Sequence, residues 1–165
     1  MEKIRVIIYG LGAIGSSIAK LVLKRNDLQL MGVIDNNKEK LGKDVGELLG
    51  VNKLGILVSD ESILNKKVDI VLHSTTSSLS AVKEQLVKII ESRSNVISTC
   101  EELSFPINEN AVVAREIDEL AKKNNVWCYK FLSLFFWHSK PIQYLPGELL
   151  HFLSISDHFT RVLVF

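Results

Sequence analysis

Apolar positions along this chain alternate between two periods. Residues 3–9 carry Ile4, Val6, Ile7 and Ile8, a nearly continuous β-branched run suited to a strand buried on both faces. Directly afterwards Ile18, Leu21 and Val22 recur at helical spacing, with Lys20, Lys24 and Arg25 facing outward or closing the last turn. A second strand is predicted over 28–34, a short helical turn over 43–49 closed by Gly50, and a short third strand over 55–58. Residues 68–73 read as a fourth strand, followed by a helix with Leu79, Val82, Leu86, Ile89 and Ile90 along one face. A fifth strand over 95–99 and a helix over about 110–123, burying Val113, Ile117, Leu120 and Ala121, complete the pattern. Strands alternating with helices predict an α/β fold with a mostly parallel, doubly wound sheet.

The junction of the first strand and helix reads GLGAIG at 10–15. In a strand–turn–helix setting this spacing is the dinucleotide fingerprint of Rossmann-like folds. Gly10 lets the chain turn sharply, Gly12 lets the backbone approach a pyrophosphate, and Gly15 lets the helix pack closely. Ala13 and Ile14 complete the turn, whose unpaired N–H groups and partial positive charge suit phosphate. The second strand ends in Asp35, 20 positions after Gly15, where a carboxylate would bond the ribose hydroxyls. That carboxylate would repel a 2′-phosphate, so NAD is expected as cofactor, with NADP as the alternative. Lys38 is placed either to offset part of that repulsion or to stand as solvated surface.

In doubly wound sheets ligands bind beyond the carboxyl ends of the strands, where strand order reverses. Two further segments lie at such ends. His73, Ser74, Thr75 and Thr76 leave the fourth strand with hydroxyls and an imidazole suited to ribose, phosphate or the nicotinamide carboxamide; alternatively, Ser77 or Ser78 caps the next helix. Glu101 and Glu102 leave the fifth strand as paired carboxylates, either holding a cationic amine or lying in a solvated loop. Cys100 reads as a small buried residue.

Twenty basic and 19 acidic residues nearly cancel, so no nucleic-acid or membrane partner is expected. Two cysteines form neither a disulfide framework nor a metal pattern, which fits a reducing cytoplasm. No secretory signal and no membrane-spanning run are read from the chain, and no metal site is expected.

GLGAIG after a β-run, GKDVGELLG at 42–50, VDIVLHSTTS at 68–77 and NVISTCEELSFP at 95–106 together resemble the dihydrodipicolinate reductase-like NAD(P)-binding domains, and among them the diaminopentanoate dehydrogenases. The resemblance runs to about residue 126. It implies a domain of an oxidoreductase that deaminates a diamino acid oxidatively, with hydride passing to NAD(P). It also places Gly10, Gly12, Gly15 and Asp35 on the dinucleotide and 73–76 near its nicotinamide half. A diamino-acid substrate would suit Glu101 and Glu102.

Beyond 126 the composition shifts. Ten of the chain's 12 aromatic residues lie in the last 39 positions, with three of its four histidines, His138, His151 and His158, at no metal-ligand spacing. The expected division is an NAD(P)-binding domain over 1–130 and an atypical tail over 131–165. Translation out of the ancestral frame or a truncated gene would explain the shift; so would a genuine aromatic segment that covers the sheet edge or joins copies of the chain into a homo-oligomer. Family members continue into a substrate domain at this point. Two functions therefore stand open: a dehydrogenase, or a non-catalytic dinucleotide-binding fragment.

Overall fold

A computed structural model describes residues 2–103 and 109–130, and the expectations for 131–165 lie outside them. Six strands, β1 (Ile4–Tyr9), β2 (Leu28–Ile34), β3 (Val58–Ser59), β4 (Ile70–His73), β5 (Asn95–Ser98) and β6 (Cys128–Lys130), form one parallel sheet in the order β3-β2-β1-β4-β5-β6. The order reverses between β1 and β4, so a crevice opens at their carboxyl ends. Helices α1 (Ala13–Lys24), α2 (Val45–Leu49), α3 (Leu79–Glu91) and α4 (Glu109–Asn124) connect them.

Side-chain alternation distributes the core over both faces of the sheet. Ile7, Tyr9, Val71 and Val96 pack with Leu79, Val82, Leu86, Ile89 and Ile90 of α3 and with Ile117 and Ala121 of α4. Val6, Ile8, Ile70, Leu72 and Ile97 are out of phase with that set and buried, as are Ile18, Ala19 and Val22 of α1. At the amino ends of the strands Arg5 grips Asp69 through one edge of its guanidinium, Nη2 donating at 2.7 Å and Nε at 3.0 Å, aligning β1 with β4.

Two elements differ from the sequence expectation. The third strand is Val58–Ser59 rather than 55–58, because the preceding residues pair with a different partner. Leu57 forms an antiparallel bridge to Asp44, and Val45 N–H donates to Ile56 C=O at 2.8 Å. Val58 directs both backbone groups outward, its N–H to Lys43 C=O and its C=O to Gly42 N–H, each at 2.9 Å. The 42–45 segment thus covers the outer flank of β3. It is anchored by the Asp44 carboxylate, which accepts the N–H groups of Gly46, Glu47, Leu54 and Gly55.

The sixth strand was not anticipated. Residues 128–130 fall past the shift in composition, yet Cys128, Tyr129 and Lys130 pair with Val96, Ile97 and Ser98. The backbone register continues across a point where residue usage changes, and Trp127 stacks on Tyr129 at 5.9 Å. Among the described residues no helix is long and apolar enough to cross a membrane, and no group of three His, Cys, Asp or Glu could hold a metal ion.

Candidate functional site

The glycine turn is built by steric necessity. Gly10 has φ +97°, and a Cβ there would stand 2.4 Å from Ser74 O. At Gly15 a Cβ would stand 1.7 Å from Gly10 O and 2.7 Å from Ser74 Oγ, so α1 rests directly on the turn that precedes it. Ser74 fixes the same corner from β4: its N–H donates to Tyr9 C=O at 2.7 Å and its hydroxyl to Gly10 C=O at 3.1 Å. A Cβ at Gly12, by contrast, would meet nothing within 4 Å. Gly12 is the N-cap of α1, no side chain accepts from that end, and the first turn holds no acidic residue. Ile14 is 42% exposed beside it. The opening turn therefore presents uncapped N–H donors over an unobstructed approach, an arrangement suited to an anion.

Asp35 is 9% exposed at the end of β2. Its carboxylate accepts Leu11 N–H at 2.8 Å, Asn37 N–H at 2.8 Å and the Lys40 ammonium at 3.0 Å. Burial acts to raise its pKa, but the hydrogen bonds from Asn37, Lys40 and Leu11 outweigh burial and hold the carboxyl below its ordinary value. The glycine turn and the carboxylate expected to meet the ribose are thus tied into one unit. Lys40, not Lys38, is the lysine beside Asp35, and its ammonium also donates to Leu11 C=O at 2.9 Å. Lys38 is exposed.

The imidazole of His73 does not face the crevice. It is 1% exposed, with Nδ1 2.8 Å from Ser98 Oγ and Nε2 2.8 Å from Gln85 Oε1 and 3.0 Å from Thr75 Oγ1. Gln85 Oε1 only accepts, so Nε2 carries the proton and Nδ1 accepts from Ser98, whose oxygen also accepts Cys100 N–H at 3.1 Å. Thr75 donates to the same Gln85 oxygen at 2.9 Å. Burial pushes the imidazole below its ordinary pKa, with Gln85 opposing. The neutral ring braces β4 against β5 and α3, while Thr75 and Thr76 remain exposed at the crevice edge. Tyr9 meets the ring edge-on at 5.3 Å and donates its hydroxyl to Glu61, which pairs with Lys88 of α3. A polar cleft of about 460 Å³ lies beyond, lined by Asn36, Glu61, Ser62, Glu84, Gln85 and Lys88 among others.

The paired carboxylates past β5 have separate roles. Glu102 accepts Leu79 N–H, in the first turn of α3, at 2.7 Å and Asn110 Nδ2 at 3.0 Å. Ser78 occupies the N-cap position but makes no capping bond, so the cap comes from Glu102 rather than from Ser77 or Ser78. Glu101 is exposed. Glu102→Ala should lower stability by about 1 kcal/mol, the usual worth of a helix cap, and urea unfolding checks it. An unchanged midpoint would remove Glu102 from this role. Cys100 is fully buried, as expected, and its thiol donates to Ser77 C=O at 3.0 Å.

The residues brought together at the crevice are therefore Gly10, Gly12, Ala13, Ile14, Gly15, Asp35, Thr75 and Thr76, with Ser74 and His73 behind them. Sequence reasoning missed Lys40, Gln85 and Ser98.

Comparison with known proteins gives a consistent picture. The family model described as "Dihydrodipicolinate reductase, N-terminus" matches residues 4–126. The chain is 34% identical over 131 residues to 2,4-diaminopentanoate dehydrogenase of Acetoanaerobium sticklandii, covering 76% of this chain and 37% of that protein. A 4-hydroxy-tetrahydrodipicolinate reductase of Prochlorococcus marinus is 39% identical over 61 residues, 36% of this chain and 22% of its own length. Among solved structures, an amine dehydrogenase from Mycobacterium smegmatis superposes with a TM-score of 0.70 at 32% identity, covering 76% of this chain and 38% of that one. The chain thus spans well under half the length of these relatives.

Proposed function

Because the chain belongs to the dihydrodipicolinate reductase N-terminal family, an NAD(P)-binding dehydrogenase domain, we propose that it binds NAD across the carboxyl ends of β1, β2 and β4. The observation that carries this reading is the uncapped start of α1, joined to Asp35 through Leu11 N–H. The N–H groups of Ala13, Ile14 and Gly15 would hold the pyrophosphate, with Gly12 leaving room for it and Gly10 shaping the turn. Asp35 would accept from the ribose hydroxyls, already oriented by two backbone donors. The polar cleft beginning at Asn36 would receive the adenine end, and the crevice edge at Ser74, Thr75 and Thr76, braced by His73, would receive the nicotinamide half. When bound, the nicotinamide supplies a hydride acceptor.

The relatives support a wider role as part of an amino-acid dehydrogenase. That reaction would remove hydride from an amine-bearing carbon, and water would then release ammonia. The exposed Glu101, past the end of β5, is the candidate partner for a substrate ammonium group. The free cysteines Cys100 and Cys128 suit a cytoplasmic setting. A second reading is a dinucleotide-binding unit without catalysis. Turnover of 2,4-diaminopentanoate by the purified chain separates the two.

Titration with NADH, followed by nicotinamide fluorescence, tests the binding itself. Saturable binding is expected, weakened about tenfold or more in Asp35→Ala, the scale of a lost hydrogen bond to a charged group. Absence of binding by a folded sample would refute the reading.

A further inference from the structure

We propose that Gln85 and Glu84 of α3 select a 6-aminopurine over a 6-oxopurine at the base end of the dinucleotide, so that the chain discriminates NADH from its hypoxanthine analogue. The inference rests on the dinucleotide reading above. The cleft of about 460 Å³ beside Asn36 has two walls. One is a stripe of α3, where Ala81, Glu84, Gln85 and Lys88 recur at helical spacing; the other is Asp60, Glu61 and Ser62. Ala81, one turn before Gln85, contributes only a methyl group to its wall, a surface on which a flat ring can lie.

Gln85 is fixed from within the fold. Ser98 is fully buried and its oxygen accepts Cys100 N–H, so its hydroxyl proton goes to His73 Nδ1. His73 Nε2 therefore carries a proton and donates to Gln85 Oε1, which accepts the Thr75 hydroxyl as well. With that oxygen turned inward, the other arm of the planar amide is its NH2 group, left to the cleft that Gln85 lines. No residue among those described accepts from it. Glu84 supplies the opposite character. Both Glu61 oxygens are taken, by Tyr9 and Lys88, and Asp60 accepts Ser62 N–H. Glu84 is exposed, and among the described residues no hydrogen bond holds its carboxylate. A donor and an acceptor on adjacent residues match a ring nitrogen beside an exocyclic amine, which adenine presents at both N1 and N7. A 6-oxo group would set oxygen against the Glu84 carboxylate, and the N1–H of that base would set a donor against the Gln85 amide.

The test is fluorescence titration of the intact chain with NADH and with reduced nicotinamide hypoxanthine dinucleotide, comparing wild type with Gln85→Glu, Glu84→Gln and Glu91→Gln. Wild type should favour NADH about tenfold or more, the scale of one hydrogen bond lost to a charged group. Gln85→Glu keeps an acceptor for His73 and Thr75 but replaces the cleft-facing donor, so the preference should fall to about threefold or less. Glu84→Gln should also narrow it, because an amide can turn its NH2 to a 6-oxo group. Glu91→Gln, at the far end of α3 and outside the cleft, should leave it unchanged. Equal wild-type affinity for the two nucleotides would overturn the proposal. So would an unchanged preference in both Gln85→Glu and Glu84→Gln, with folding of each checked by urea unfolding. Failure of the folded wild type to bind either nucleotide would instead overturn the dinucleotide reading, and this inference with it.

Discussion

Gly15→Ala is expected to abolish measurable NADH binding and to destabilise the fold by roughly 3 kcal/mol, the upper range for overpacking. The added methyl would sit 1.7 Å from Gly10 O, a backbone atom, rather than against a flexible side chain. Gly10 cannot retreat, since its own Cβ position lies 2.4 Å from Ser74 O and its φ of +97° is fixed by the turn. Either α1 lifts off the sheet or the turn opens, and both outcomes displace the N–H donors. Gly12→Ala supplies the contrast: its methyl meets nothing within 4 Å, so stability should be retained while binding falls. Urea unfolding and NADH titration of the two variants separate packing from ligand approach. A Gly15→Ala protein with wild-type stability and affinity would refute the assignment.

His73→Leu is the second large effect. Removing the imidazole leaves the buried Ser98 hydroxyl without its acceptor and takes the ring from Gln85 and Thr75, which keep their bond to each other, a loss of about 2–4 kcal/mol at neutral pH once the emptied space is included. The pH dependence is specific in sign. Burial lowers the folded pKa of His73 below its unfolded value near 6.5, so on acidification the unfolded chain takes up a proton before the folded one does. The stability conferred by the neutral ring is therefore complete above about pH 6.5 and declines as pH falls below it. The gap between wild type and His73→Leu should narrow from pH 7 to pH 5 in urea unfolding. The other histidines are common to both proteins and cancel in the difference. A gap that widens toward low pH would mean that the imidazole is stabilised as the cation.

The course of the chain was legible in its sequence wherever the signal was local. The βαβ start, the GLGAIG turn and the position of Asp35 all fall within residues 4–35, and each element was found where expected. What could not be read depends on register. His73 meets Ser98 because the two are paired neighbours on β4 and β5, and it meets Gln85 because α3 crosses above that row. An imidazole at a strand end therefore suggested a ligand contact when its partners were already present in the fold. Glu102 is similar: a carboxylate 23 residues after Leu79 caps its helix, a contact that no capping pattern in sequence reveals. Lys40 escaped notice because the turn at 36–40 carries Lys38 past Asp35 and returns Lys40 to it. The third strand shifted for a related reason, since antiparallel pairing with 44–45 claimed the residues before it.

The covered flank of β3 limits how other chains can meet this domain. A parallel sheet usually ends in a row of open backbone groups onto which another chain can zip. Here the groups of Val58 are satisfied by Gly42 and Lys43, and the Asp44 carboxylate locks that strap with four amide hydrogens. Filament growth or strand exchange through this side would first have to peel the strap away. The same closure that shortened the third strand thus protects this edge of the sheet against templated self-assembly at high concentration.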